Sequence, residues 1–254
     1  MPPRYDFRTP RLFVALALGP GARLALEPAQ ANYLRNVLRL PAGASVLVFN
    51  GREGEWQATL ADGGRRSLAL VVDERTRAQT AAPDLHFLFA PLKHARLDYM
   101  VQKAVEMGTA RLAPVITRHT QVARVNLDRM RANAIEAAEQ CGILTLPEIA
   151  TPVAFDRLIA ERDPTRLLVF CDEDAEVKDP LAALAVARAD GNSARTIPLA
   201  VLVGPEGGFA EDERTALMRL PNVLRLALGP RILRADTAAV AALALVGAVL
   251  GDWR

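Results

Sequence analysis

The chain has 254 residues, 51% of them hydrophobic and 24% charged, which is ample for one large core or two modest ones. A formal net charge of +2 excludes a strong global electrostatic field. The longest apolar run, Ala238 to Leu250, spans 13 Ala-rich residues, too few to cross a bilayer.

Charge is unevenly placed. Residues 1–80 hold 11 Arg against 7 Asp and Glu, while the remainder holds 20 basic against 22 acidic residues. An Arg-rich first third suits a polyanionic partner and equally suits a solvated surface. Arg supplies 28 of the 31 cations, and its planar, permanently charged fork suits phosphate. Met1-Pro2-Pro3-Arg4 lacks the apolar stretch of a secretory leader. Cys141 and Cys171 form no motif, so free thiols in a reducing cytoplasm are expected.

Taken in chain order, residues 11–72 read mostly as strands. Leu12–Leu18 is an apolar run stopped by Gly19-Pro20-Gly21. Pro28–Leu40 has a helical period, with Tyr33, Val37 and Leu40 on one face and Arg35 and Arg39 four apart. Ser45–Phe49, Glu55–Leu60 and Ser67–Val72 read as strands separated by turn signals at 50–54 and 62–64. Short strands around one helix predict a small barrel over residues 1–74. A polar, then small-residue stretch marks a linker at 75–84.

Beyond it the texture changes to alternating strands and helices. Strands are expected at His86–Ala90, Arg111–Ile116, Leu167–Phe170, Pro198–Val203 and Leu224–Leu228. Helices are expected at Ala95–Met107, Leu127–Cys141, Leu181–Ala189, Glu211–Leu220 and Thr237–Leu250. Continuous apolar strands alternating with helices predict an α/β domain over 85–254, its parallel sheet covered on both faces.

Two segments carry chemistry. Leu199–Val203 runs into Gly204-Pro205-Glu206-Gly207-Gly208-Phe209 and then a helix. Ligands of open parallel sheets sit beyond the carboxyl ends of the strands, where glycines let the backbone approach them. The next helix opens with Glu211-Asp212-Glu213, which suits the helix dipole but repels phosphate. No Gly-Lys-Ser/Thr follows, so a phosphate loop is excluded. A lone Gly-Pro-Glu-Gly-Gly is equally a tight turn. The second segment, Leu226 to Ala238, repeats the strand, Gly-Pro break, loop and helix, with Arg231 and Arg234 in the loop. Capping of the final helix also explains Asp236 and Thr237.

Gly204 to Phe209, followed by Leu228-Gly229-x-Arg231-Ile232-Leu233-Arg234-x-Asp236-Thr237-Ala238, resembles the ribosomal RNA small subunit methyltransferase E family of the SPOUT class. Tyr33–Leu40, Lys103–Gly108 and Glu136–Cys141 are similar to further stretches of that family, so the likeness runs from about Arg11 to Ala242. The resemblance implies an N-terminal PUA-like β-barrel for RNA and a C-terminal domain with a trefoil knot. It further implies a homodimer, S-adenosyl-L-methionine as methyl donor, and N3 methylation of one uridine in the decoding region of 16S ribosomal RNA. Three positions depart from the family pattern: Ile143 replaces Arg, Ala210 replaces a capping Ser or Thr, and Asp236 replaces Glu.

On that basis, backbone groups of Gly204, Gly207, Gly208, Leu228, Gly229 and Leu233 are expected to hold the cofactor, with Leu202 and Ile232 packing against it. Arg234 is expected to stabilise negative charge on the uracil ring. Glu206 and Asp236 are candidate bases, or else a loop brace and a helix cap. Arg11, Arg35 and Arg39 are the expected RNA phosphate contacts. No metal is needed, because His86, His94 and His119 are scattered without a ligand set. Alternatives are a SPOUT enzyme acting on transfer RNA or 23S RNA, a non-catalytic RNA-binding assembly factor, and an α/β nucleotide-phosphate enzyme.

Overall fold

The computed structural model describes residues 6, 8–63, 68–122, 124–176, 179–190 and 197–253. Met1–Arg4, Gly64 and Ser67, named in the sequence readings, lie outside the described residues. The chain divides into two compact units, Met1–Ala81 with Ala138–Leu146, and Ala82–Ala137 with Pro147–Arg254.

The first unit contains strands β1 (Arg11–Phe13), β2 (Arg23–Ala25), β3 (Ser45–Phe49), β4 (Glu55–Asp62) and β5 (Leu68–Arg77), and helix α1 (Pro28–Asn32). They form one sheet in the order β1-β3-β4-β5-β2. Leu12 from one edge and Leu24 from the other share a core with Val46, Val48, Leu60 and Leu70. Two opposite edges can face one core only if the sheet curls, which agrees with the barrel expected here. Strand β5 continues through residues assigned to the linker, because Arg75 and Arg77 pair across with Trp56 and Glu55 of the long strand β4. Local polarity suggested a loop; the partner strand makes it β.

The expected helix over 28–40 is interrupted. Pro28 opens α1, and Gln30 accepts from the Glu27 amide. Tyr33–Val37 then widens into a π-helical turn, closed by the Leu38 amide donating to the Tyr33 carbonyl. The wider turn rotates the side chains off the 3.6-residue period. Leu34 alone is fully buried, while Tyr33 and Val37 are exposed.

The second unit holds β6 (Leu85–Phe89), α2 (Ala95–Glu106), β7 (Arg111–Ile116), α3 (Leu127–Gln140), β8 (Glu148–Ile149), β9 (Val153–Ala154) and α4 (Phe155–Glu161). It continues with β10 (Leu167–Cys171), α5 (Pro180–Asp190), β11 (Leu199–Val203), α6 (Glu211–Met218), β12 (Val223–Leu226) and α7 (Ala235–Val249). The last residues of α3 count with the first unit. The sheet runs β12-β10-β11-β6-β7-β8, with β9 also on β7. Every one of these pairings is parallel.

Both faces are covered, as continuous apolar strands require. Leu88, Phe170 and Leu202 point into one core with Phe155 of α4, Phe209, and Leu217 of α6. The alternate residues Phe87, Phe89, Val169 and Val201 are fully buried as well. Helix α7 packs on β11, α2 and α5. The short elements β8, β9 and α4 were not expected, since each is too brief to show a period. No helix among the described residues is long and apolar enough to cross a membrane.

Candidate active site

Strands β10 and β11 end in register, with Cys171 beside Val203. Beyond them lies a cavity of about 410 Å³. Gly204, Glu206, Gly207 and Gly208 line it from one loop, and Leu228, Gly229, Ile232 and Leu233 from the other. The two motif segments, separate in sequence, therefore build one pocket at the carboxyl edge of the sheet. A cavity of about 510 Å³ opens at the opposite end, beside His86, Arg111 and Arg166 at the starts of β6, β7 and β10. Burial and the Arg166 charge push the His86 imidazole below its ordinary range. Ligands of parallel sheets bind at the carboxyl ends, so the smaller cavity is the candidate site.

Leu202 does not line the pocket. It is fully buried in the core beneath, because the strand's alternation turns it to the face shared with Phe209, and Val203 reaches the cavity instead. Ile232 lines the cavity and is 89% exposed.

The first loop is held from several sides. A Cβ on Gly204 would lie 2.6 Å from the Phe209 ring, which itself sits edge-on to Phe170 at 5.0 Å. Gly208 has φ +68, and a Cβ there would lie 2.5 Å from a Glu173 carboxylate oxygen. His119 Nδ1 lies 3.2 and 3.1 Å from the Gly207 and Gly208 carbonyl oxygens, so it serves as a donor to that turn. Glu213 accepts from the amides of Ala210 and Arg118 at 3.0 and 2.9 Å. Ala210 has no side-chain acceptor, but this returning half of a capping box satisfies its own N–H and offsets the missing Ser or Thr.

One cation beside the pocket, paired with its lining residue Glu206, carries no signal in the sequence. Arg96 of α2 pairs with Glu206 at 2.5 Å and approaches Asp236 at 3.9 Å. Nothing in the local sequence marks it, because its partners lie far along the chain. Helix α7 starts at Ala235, so the exposed Arg234 is its N-cap residue and Asp236 falls inside the first turn rather than capping it. Asp236 accepts from the Thr237 amide at 2.9 Å. Arg234 and Asp236 flank Ala235, which lines the cavity.

At the end of β10 the fully buried Asp172 side chain is held by Arg225 at 2.7 Å and Arg214 at 3.1 Å. Arg214 also reaches Glu173 and Asp174. Burial, with the Asp172 charge, pushes the neighbouring Cys171 thiol up to about 12.

The expected RNA contacts divide. Arg11 is only 6% exposed and pairs with Glu55 at 2.8 Å. It also donates to the carbonyls of Ala138, Glu139 and Ile143. Its donors are spent inside the first unit, so Arg11 is a structural cation and not a phosphate contact. Arg35 is exposed on the π-helical turn. Arg39 is exposed too, but at φ 54 it lies beyond that turn, so the expected spacing on one helical face does not exist.

A family model described as an RNA methyltransferase domain matches residues 79–247, and one described as an RNA methyltransferase PUA domain matches residues 26–73. A PUA-type unit ahead of a parallel-sheet RNA methyltransferase domain with this pocket thus defines an RNA methyltransferase by class. The ribosomal RNA small subunit methyltransferase E of Rickettsia conorii is 30% identical, over 93% of this chain and 94% of its own. The protein of that name from Synechocystis is 30% identical, over 94% of this chain and 78% of its own. The chain belongs to the ribosomal RNA small subunit methyltransferase E family.

Solved structures agree on the fold. The family protein from Neisseria gonorrhoeae, bound to S-adenosyl methionine, superposes with a TM-score of 0.82 at 24% identity, covering 97% of this chain and all of that one. A Legionella pneumophila protein in complex with the cofactor SAM gives 0.78 at 28% identity, covering 96% and 99%.

Proposed function

We propose that the protein uses S-adenosyl-L-methionine to methylate N3 of one uridine in the decoding region of 16S ribosomal RNA. The observation that carries this is the single pocket built by the two motif loops at the carboxyl ends of β10 and β11. Its volume of about 410 Å³ lies within the range of small-molecule sites. Its lining includes the carboxylates of Glu173 and Glu206, which suit a ligand carrying an ammonium and a sulfonium. Relatives named as ribosomal RNA small subunit methyltransferases, and one structure at 28% identity holding the same cofactor, support the methyltransferase part of the assignment.

Backbone N–H and C=O groups of Gly204, Gly207, Gly208, Leu228, Gly229 and Leu233 would hold the adenosyl part, with Ile232 closing over it. When bound, the cofactor supplies an electrophilic methyl group. The chain's task is to align the uridine with that methyl, exclude water and take the N3 proton. Arg234 stabilises the negative charge that develops on the uracil ring, and Glu206 and Asp236 are the candidate proton acceptors. Residues 1–74 grip the RNA through Arg35 and Arg39, while 85–254 carry the chemistry, knotted and homodimeric as in the SPOUT class. The substrate is 16S RNA within an assembled small subunit in the cytoplasm.

Arg234→Ala tests the acceptor side. Calorimetry should show unchanged cofactor affinity, while single-turnover methylation falls by about 10²-fold or more. Methylation at the wild-type rate would remove Arg234 from the mechanism.

A further inference from the structure

The pocket motifs supply two carboxylates, and a third segment of the chain treats them differently. Arg96 lies in the first turn of α2. His94, just before that helix, has φ 38, a strained conformation for a side-chain-bearing residue that persists only where its surroundings impose it. The guanidinium of Arg96 makes a direct ion pair with Glu206 at 2.5 Å through one terminal nitrogen. Its Nε points toward Asp236 but stops at 3.9 Å, beyond hydrogen-bond reach. The Asp236 side chain is also the more secluded, at 19% exposure against 37% for Glu206.

We propose that Arg96 is a positioning residue that divides the labour between these carboxylates. It pins Glu206 as a brace of the first loop and steers Asp236, whose Oδ1 accepts from the Thr237 amide and whose Oδ2 faces Arg96 Nε at 3.9 Å, too far for a hydrogen bond, to accept the uridine N3 proton at Oδ2. In that step the N3–H bond breaks and the proton passes to Asp236. The freed electron pair becomes the new bond to the methyl carbon, and the electrons of the old carbon–sulfur bond stay on sulfur. Glu206 belongs to the Gly-Pro-Glu-Gly-Gly loop and Asp236 to the first turn of α7, so one guanidinium also ties the two motif segments together. This inference rests on the methyltransferase reading of the pocket.

The test uses the full-length protein, S-adenosyl-L-methionine and small-subunit RNA. Wild type must first transfer a methyl to uridine N3; if it does not, the methyltransferase reading fails and takes this inference with it. With wild type active, Arg96→Met should retain cofactor affinity and RNA KM within about threefold and lose kcat by about 10- to 100-fold. Arg96→Lys should recover most of the loss, since a cation between the carboxylates is restored. Glu206→Gln should resemble Arg96→Met, and the double variant should be little worse than either single one, because both remove the same ion pair. Asp236→Asn should lose about 10²- to 10⁴-fold in kcat, the range of a general base. Thermal melts of each variant separate a folding defect from a positioning defect, and the Lys and Gln variants keep side-chain volume. The inference is overturned if Arg96→Met turns over like wild type or changes only KM. It is equally overturned if Glu206→Gln costs more than Asp236→Asn.

Discussion

The Arg11 guanidinium meets a carboxylate, three backbone carbonyls and the face of Phe49, 4.4 Å from the ring centroid. Its ion-pair partner Glu55 is as buried as it is, and Arg77 approaches the same carboxylate at 3.5 Å. Removing Arg11 strips Glu55 of its nearest cation, leaving the more distant Arg77, and leaves the carbonyls that Arg11 served without that donor in a low-dielectric interior. Arg11→Met is therefore expected to destabilise the protein by about 3–5 kcal/mol, read from urea unfolding. A change below about 1 kcal/mol would show that the pair is not the anchor described. At this scale the sequence was legible for some residues and opaque for others. Glycines mark loops through spacing, and those of both motifs line the pocket. Arg11, Arg35 and Arg39 look alike in sequence, and only the fold sends one inward to carbonyls more than a hundred residues away. Arg96 was invisible for the same reason.

Elements were most legible where apolar runs were long and neighbours short. Strands β3 and β7 fall where the pattern placed them, and α2, α3 and α6 start where expected. The misreadings have physical causes. The π-helical turn at 33–37 breaks the period on which face assignments depend. The end of β5 is strand only because β4 is there to pair with it. Helix α2 is coupled to α3 by Asp98, which accepts from Arg129 at 2.8 and 2.6 Å and from Asn133 at 2.9 Å. The hydrogen bonds from Arg129, ahead of its charge, hold the Asp98 carboxyl below its ordinary range. A carboxyl depressed by folding stabilises the protein fully above its unfolded value, near about pH 4, and that stability is lost as pH falls through the folded value. Asp98→Asn should thus lower the melting temperature at about pH 7, and the gap to wild type should narrow below about pH 3.5. A gap that stays constant or widens in acid would show that the ionised carboxylate is not what links the helices.

For the molecule as a whole, two segments about twenty residues apart in sequence become one pocket because β10 and β11 lie side by side and α7 packs back on β11. Alternating strands and helices made that parallel sheet legible, but its strand order followed only from the fold. We propose above all that this pocket methylates a uridine at N3 in small-subunit RNA. The most direct measurement is mass spectrometry of 16S RNA from cells lacking the gene, before and after incubation of their small subunits with the purified protein and S-adenosyl-L-methionine. One methyl group, missing from a single decoding-region uridine, is expected to return at N3. A methyl on another base or another RNA, or none at all, would contradict it.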